Sequence, residues 1–137
     1  MSFNSDHYPH GDLTKQIIGA GMSVHRALGP GLNEKIYENA PSLELAAQSL
    51  DFTQQQQFPV FYRDKIVGRL ITDLIVENKV VVEAKVASTI SDLHTAQTLG
   101  YLSITGLQIG LILNFQSASL AFKRVANVYR KPINKSV

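Results

Sequence analysis

The chain has 137 residues, of which 45% are apolar and 18% charged, with a formal net charge of +2. That suits one soluble globular domain with a real core. It contains no cysteine, which excludes disulfides, thiolate-held zinc, iron–sulfur clusters and a cysteine nucleophile.

Residues 1–12 read as a disordered lead-in without the basic and apolar regions of a signal peptide. No apolar run is long enough to span a membrane, so a cytoplasmic protein is expected. Asp12 can cap a helix from Leu13 to about Leu28, with Ile17, Ala20 and Val24 at helical spacing. Gly29-Pro30-Gly31 stops it. A second helix is expected from about Leu32 to Leu50, with Leu32, Ile36, Ala40, Leu43 and Ala47 along its buried stripe. Pro41 should kink or break that helix, because it has no N–H and clashes with the preceding turn. A strand follows at Gln54–Tyr62, placed at a sheet edge by Pro59. Arg63-Asp64-Lys65 turns the chain into a strand at Ile66–Val76.

Two β-branched runs, Leu70–Val76 and Val80–Val86, flank Glu77-Asn78-Lys79 and read as a hairpin. They are almost wholly apolar, so both faces should be buried. Asp73, Glu83 and Lys85 interrupt them, and buried charges need partners, a metal or a water-filled cleft. A three-residue turn pairs Val76 with Val80 and sets Asp73 opposite Glu83. A two-residue turn would set Asp73 opposite Ala84 instead. We expect the first register. Opposed carboxylates repel, and a divalent cation between them would relieve that. Side chains alternate along a strand, so Glu83 and Lys85 share a face and Val80, Val82 and Ala84 take the other.

Ser91 or Asp92 caps a third helix, Leu93–Ile104, on which His94, Gln97 and Tyr101 share a face. Strands at Leu107–Phe115 and Leu120–Val125 follow. The expected class is α/β (α+β), a mixed sheet with flanking helices, since a strand–helix–strand crossover favours a parallel partner. The first 92 residues hold all 11 acids and eight of the bases; residues 93–137 hold five bases and no acid. The tail at 127–137 is therefore basic, able to grip phosphates or to remain solvated. Glu34 and Glu38 lie one helical turn apart, read either as a shared acidic face or as acids favoured by a helix N-terminus. His25 reads as a structural histidine.

The stretch Gly31-Leu-Asn-Glu34-Lys-Ile-Tyr37 resembles the motif that names the GxxExxY proteins. Val24-His25-Arg26, Asp73-Leu-Ile-Val, Val82-Glu83-Ala-Lys85, His94-x-x-Gln97, Tyr101-Leu and Asn114-Phe115 extend the resemblance over residues 13–126. That family is similar to the PD-(D/E)XK nucleases, whose αβββαβ core has the element order read above. The resemblance implies a metal-dependent nuclease in which Asp73, Glu83 and Glu34 hold Mg²⁺ or Mn²⁺. Lys85 would assist the attacking water or stabilise the transition state. Gln97 and Tyr101 resemble the Gln-x-x-x-Tyr motif of RecB-type nucleases, which positions substrate and active-site groups. Nucleic acid is the implied partner, DNA in preference to RNA. A homodimer or another protein partner stays open, as does a catalytically silent binding module of the same fold.

Overall fold

A computed structural model describes residues 9–127. The basic tail, apart from Asn127, and most of the expected lead-in lie outside these residues. Three helices and five strands follow one another as α1 (Gly11–Leu28), α2 (Glu34–Ala47), β1 (Phe52–Tyr62), β2 (Lys65–Val76), β3 (Val80–Lys85), α3 (Asp92–Thr105), β4 (Ile109–Asn114) and β5 (Ala121–Ala126). The strands form one sheet in the order β1-β2-β3-β4-β5. Only β3 and β4 run parallel; the other neighbours are antiparallel. This is the expected mixed sheet, and α3 is the crossover that makes the parallel pair geometrically accessible.

The β2–β3 turn settles the register. Val76 pairs with Val80, Ile75 with Val81 and Leu74 with Val82. Glu77 and Asn78 take left-handed backbone, φ 54 and 53, and Lys79 N–H donates to the Val76 carbonyl at 2.9 Å. Alternation then sorts the sheet into two faces. Val80, Val82 and Ala84 join Ile17, Tyr37 and Leu45 in a cluster under α1 and α2. Val81, Ile75 and Ile112 join Leu102 in a second cluster under α3. β3 and β4 are buried on both faces, which accounts for their unbroken apolar runs.

Three expectations at the helices are corrected. α1 begins at Gly11, so Asp12 lies in its first turn rather than at the cap; an acid there is favoured by the helix dipole. α2 runs unbroken through Pro41, because Tyr37, Pro41 and Leu45, spaced four apart, form the stripe it buries. The proline ring thus packs into the core, and packing outweighs helix propensity. Of the expected α2 stripe only Ala40 packs against the core, while Leu32, Ile36, Leu43 and Ala47 are exposed, Leu43 at 74%. α3 is capped by Ser91, whose hydroxyl accepts from His94 N–H. α3 also approaches β4 closely. A Cβ added at Gly110 would lie 2.5 Å from Thr98 Cγ2.

Candidate active site

The residues singled out on the hairpin converge where the β2–β3 ladder ends. One step beyond the Leu74–Val82 pair sets Asp73 opposite Glu83. Asp73 is half-buried, and its Oδ2 accepts from Ala84 N–H at 3.1 Å. Its carboxylate therefore takes over from the backbone ladder at this point. Glu83 is 3% exposed, and its Oε1 has no hydrogen-bond partner among the described residues. Burial pushes the Glu83 carboxyl up to about 9, helped by the charge and hydrogen bond of Asp73 and opposed by Lys85. Without a cation the pair therefore holds a proton at neutral pH, as two crowded carboxylates do.

Lys85, two residues on, lies on the same face as Glu83. Its Nζ donates to Gln97 Oε1 at 3.1 Å. Tyr101 follows one turn further along α3. Burial raises its phenol, with the charges of Glu83 and Asp73 adding to the shift, which places the ring within the field of the pair. The structure thus brings Asp73, Glu83, Lys85, Gln97 and Tyr101 to one end of the sheet. His94 does not join them through its ring. Its Nδ1 accepts from Ser91 N–H at 3.1 Å, closing the α3 capping box.

The second helix contributes two acids. Glu34 Oε1 accepts from Val86 N–H at 3.2 Å, pinning the start of α2 to the end of β3. Glu38 lies one turn further and was not among the expected site residues. Its carboxyl is raised by burial and then by Asp73, with Lys35 opposing. Lys35 Nζ lies 3.6 Å from its Oε1, and Gln55 Nε2 donates to the same oxygen at 3.4 Å. The spacing from Glu34 was the signal that could have found it.

The turn before α2 explains how these acids are held. Gly31 has φ +109, a conformation that favours glycine. Tyr37 is fully buried and stacks on Phe115, with centroids 4.6 Å apart. Its hydroxyl donates to the Gly29 carbonyl and accepts from Leu32 N–H. Gly31, Glu34 and Tyr37 together form a strap that fixes α2 against β3 and β4. Asn114, also fully buried, fixes the loop after Lys85: its Nδ2 donates to the Ala87 carbonyl at 2.8 Å and its Oδ1 accepts from Ala87 N–H at 3.1 Å. His25 serves the core, with Nε2 2.8 Å from the Ser117 carbonyl.

Among the described residues, no three aspartate, glutamate or histidine side chains close on one point as a ready-made metal cage. Mg²⁺ does not require one, since it binds through one or two carboxylates and keeps several waters. The donors present fit such an ion. They are all oxygen, and Glu83, whose Oε1 is buried without a partner among the described residues, lies opposite Asp73. Concavities of about 250 Å³ beside Asp51 and Glu77 and about 340 Å³ beside His25 and Leu120 contain none of these residues.

A mixed sheet with an acid on β2 where its ladder to β3 ends, and acid-x-lysine on β3, is the pattern of a nuclease-type fold. The family model of the PD-(D/E)XK nuclease superfamily matches residues 11–125, and the chain belongs to that superfamily. Among solved structures, the chain is similar to the crystal structure of SSO0001, with TM-score 0.55 and 15% identity. The alignment covers 90% of this chain and 60% of that one, so the chain spans little more than half the length of that relative. At this identity the likeness concerns the fold. No functionally curated protein matches the sequence. No helix among the described residues is long and apolar enough to cross a membrane.

Proposed function

We propose that the protein is a metal-dependent nuclease of the GxxExxY type, hydrolysing phosphodiester bonds in nucleic acid. One observation carries the reading: Glu83 Oε1 is buried without a partner, opposite Asp73 and two residues from Lys85. A carboxylate oxygen in that position suits a cation better than it suits water or the core.

Asp73 and Glu83 would hold Mg²⁺ or Mn²⁺, with Glu34 as a further acid and Glu38 beside it. The ion would polarise the phosphate and lower the pKa of a bound water. The chain's own groups do the rest. Glu83 would give up its proton to solvent when it takes the ion. Lys85, oriented by Gln97, presents positive charge where the phosphorane gains negative charge or where the attacking water is held. Tyr101 supplies a phenol that can donate to a phosphate oxygen. The carboxylates repel a free polyanion, so the site favours substrate only once loaded.

A second reading has support of its own. Asp73 and Glu34 each hold a backbone N–H, as structural carboxylates do. A catalytically silent nucleic-acid or protein-binding module would keep these bonds. The test is incubation with single- and double-stranded DNA and RNA, with Mg²⁺ or Mn²⁺ against a chelator. Wild type should cleave at least one substrate only with the cation. Lys85→Ala should lose about 10²-fold or more in rate, the range of a positioned catalytic group, while keeping cation binding. Cleavage that survives both Asp73→Asn and chelation would remove the proposal.

A further inference from the structure

Beyond the site, β1 and β2 continue together as a two-stranded arm. From Phe58 to Thr72 the only acid is Asp64, whereas Arg63, Lys65 and Arg69 are basic. All three bases are exposed, and none forms an ion pair among the described residues. Apolar side chains are exposed beside them: Tyr62 is 64%, Val67 62% and Ile66 52% accessible. Arg63 and Asp64 make the tip, with φ 48 and 62. This left-handed pair suits the natural twist of a hairpin. Near it the register shifts, so that Val60 pairs with Gly68 but Phe61 with Ile66. Val67 is thus a bulge, which adds twist.

Opposed residues share a face, so Tyr62 and Lys65 lie on the face that carries Phe58 and Leu70 at the arm's root. Phe58 packs into the cluster that contains Tyr101. The face of the arm that carries Tyr62 and Lys65 is therefore continuous, through Phe58, with the side of the sheet that bears the candidate active site, and Arg69, paired with Pro59, lies on the arm's other face. Lys65 is eight residues from Asp73 along β2, about 26 Å at the rise of a strand.

We propose that this arm is a grip for duplex DNA, laid into the major groove while the backbone passes over Asp73 and Glu83. The inference rests on nucleic acid being the substrate. Charge is the first argument: the acids Asp73 and Glu83 lie beyond the root and repel phosphates, whereas Arg69 near the root and Arg63 and Lys65 at the far end attract them. Shape is the second. A two-stranded ribbon fits the B-DNA major groove, about 12 Å wide, but not the deep, narrow one of A-form RNA. Exposed Ile66 and Val67 suit thymine methyl groups, an apolar contact that phosphates do not offer. The arm's reach corresponds to about eight base pairs.

The test compares wild type with an Arg63→Gln/Lys65→Gln/Arg69→Gln variant. Fluorescence anisotropy with a labelled 30-base-pair DNA duplex, in EDTA to prevent hydrolysis, gives Kd at 50 and 200 mM salt. Removing three phosphate contacts should reduce the ratio of the two Kd values by about 40-fold. All three positions are exposed, so the thermal midpoint should not move. An unchanged salt ratio overturns the arm, even if Mg²⁺-dependent cleavage persists. A reduced ratio upholds it, even if the wild type cleaves nothing and the nuclease reading fails. Tighter wild-type binding of single strands or duplex RNA than of duplex DNA overturns it. So does a wild-type dimer in light scattering that Tyr62→Ser/Val67→Ser disperses with DNA affinity unchanged, since the arm would then serve self-association.

Discussion

Replacing Glu83 by glutamine tests the buried carboxylate pair without removing bulk. The Glu83 carboxyl rises from an ordinary 4.5 to about 9 on folding. The folded protein then binds one more proton than the unfolded chain across that window. This contribution to stability is fully present below about 4.5 and is lost as pH rises toward 9. At pH 7 the wild type has lost about 3 kcal/mol, the free energy of ionising Glu83 only in the unfolded chain. Glutamine has no such linkage, and its amide can donate to Asp73 as the protonated acid does. In EDTA, Glu83→Gln should therefore melt about 10 °C above wild type at pH 7. At pH 5 the difference should shrink to less than about 1 kcal/mol. Thermal melts by circular dichroism from pH 5 to 8.5 would measure it. A wild-type midpoint that stays flat over this range, with no gain in the variant, would refute the claim that the pair holds a proton. Saturating Mg²⁺ should reverse the order at pH 8, because only the wild type would gain from the ion.

Asp73→Asn keeps an oxygen for Ala84 N–H, so melts in EDTA should show a protein as stable as wild type or more so; the Mg²⁺-dependent rise and cleavage should both be lost. Gly110→Ala drives a methyl group to within 2.5 Å of Thr98 Cγ2. Urea titration should show a loss of about 1–3 kcal/mol, the usual cost of overpacking. Tyr37→Phe strips the hydroxyl from Gly29 and Leu32. It should cost about 1–3 kcal/mol and lower the cleavage rate, with hydrogen exchange of residues 29–34 reporting the loosened strap.

The sequence by itself determined most of the elements and narrowed the hairpin to two registers, of which the structure adopts the expected one. Hydrophobic period marks strands and helices because each element must bury a face, and the observed turn over Glu77, Asn78 and Lys79 pairs Val76 with Val80. That pairing opposes Asp73 to Glu83, and alternation adds Lys85 to the same face. The Gln97–Tyr101 spacing on a helix was readable for the same reason. The tertiary structure decided what depends on distant partners. Pro41 looks like a helix breaker until its ring is seen in the stripe with Tyr37 and Leu45. Leu43 and Ile36 look like core until the face they occupy proves to be outward. His94 has the spacing of a site residue, yet its ring closes a cap. Glu34 and Glu38 are equivalent in sequence, and only packing directs one to Val86 N–H and the other toward the field of Asp73. Periodicity reports that a residue is on a face. Which atoms meet that face, and so which charge keeps a proton or lacks a partner, is fixed by chain segments far away in sequence.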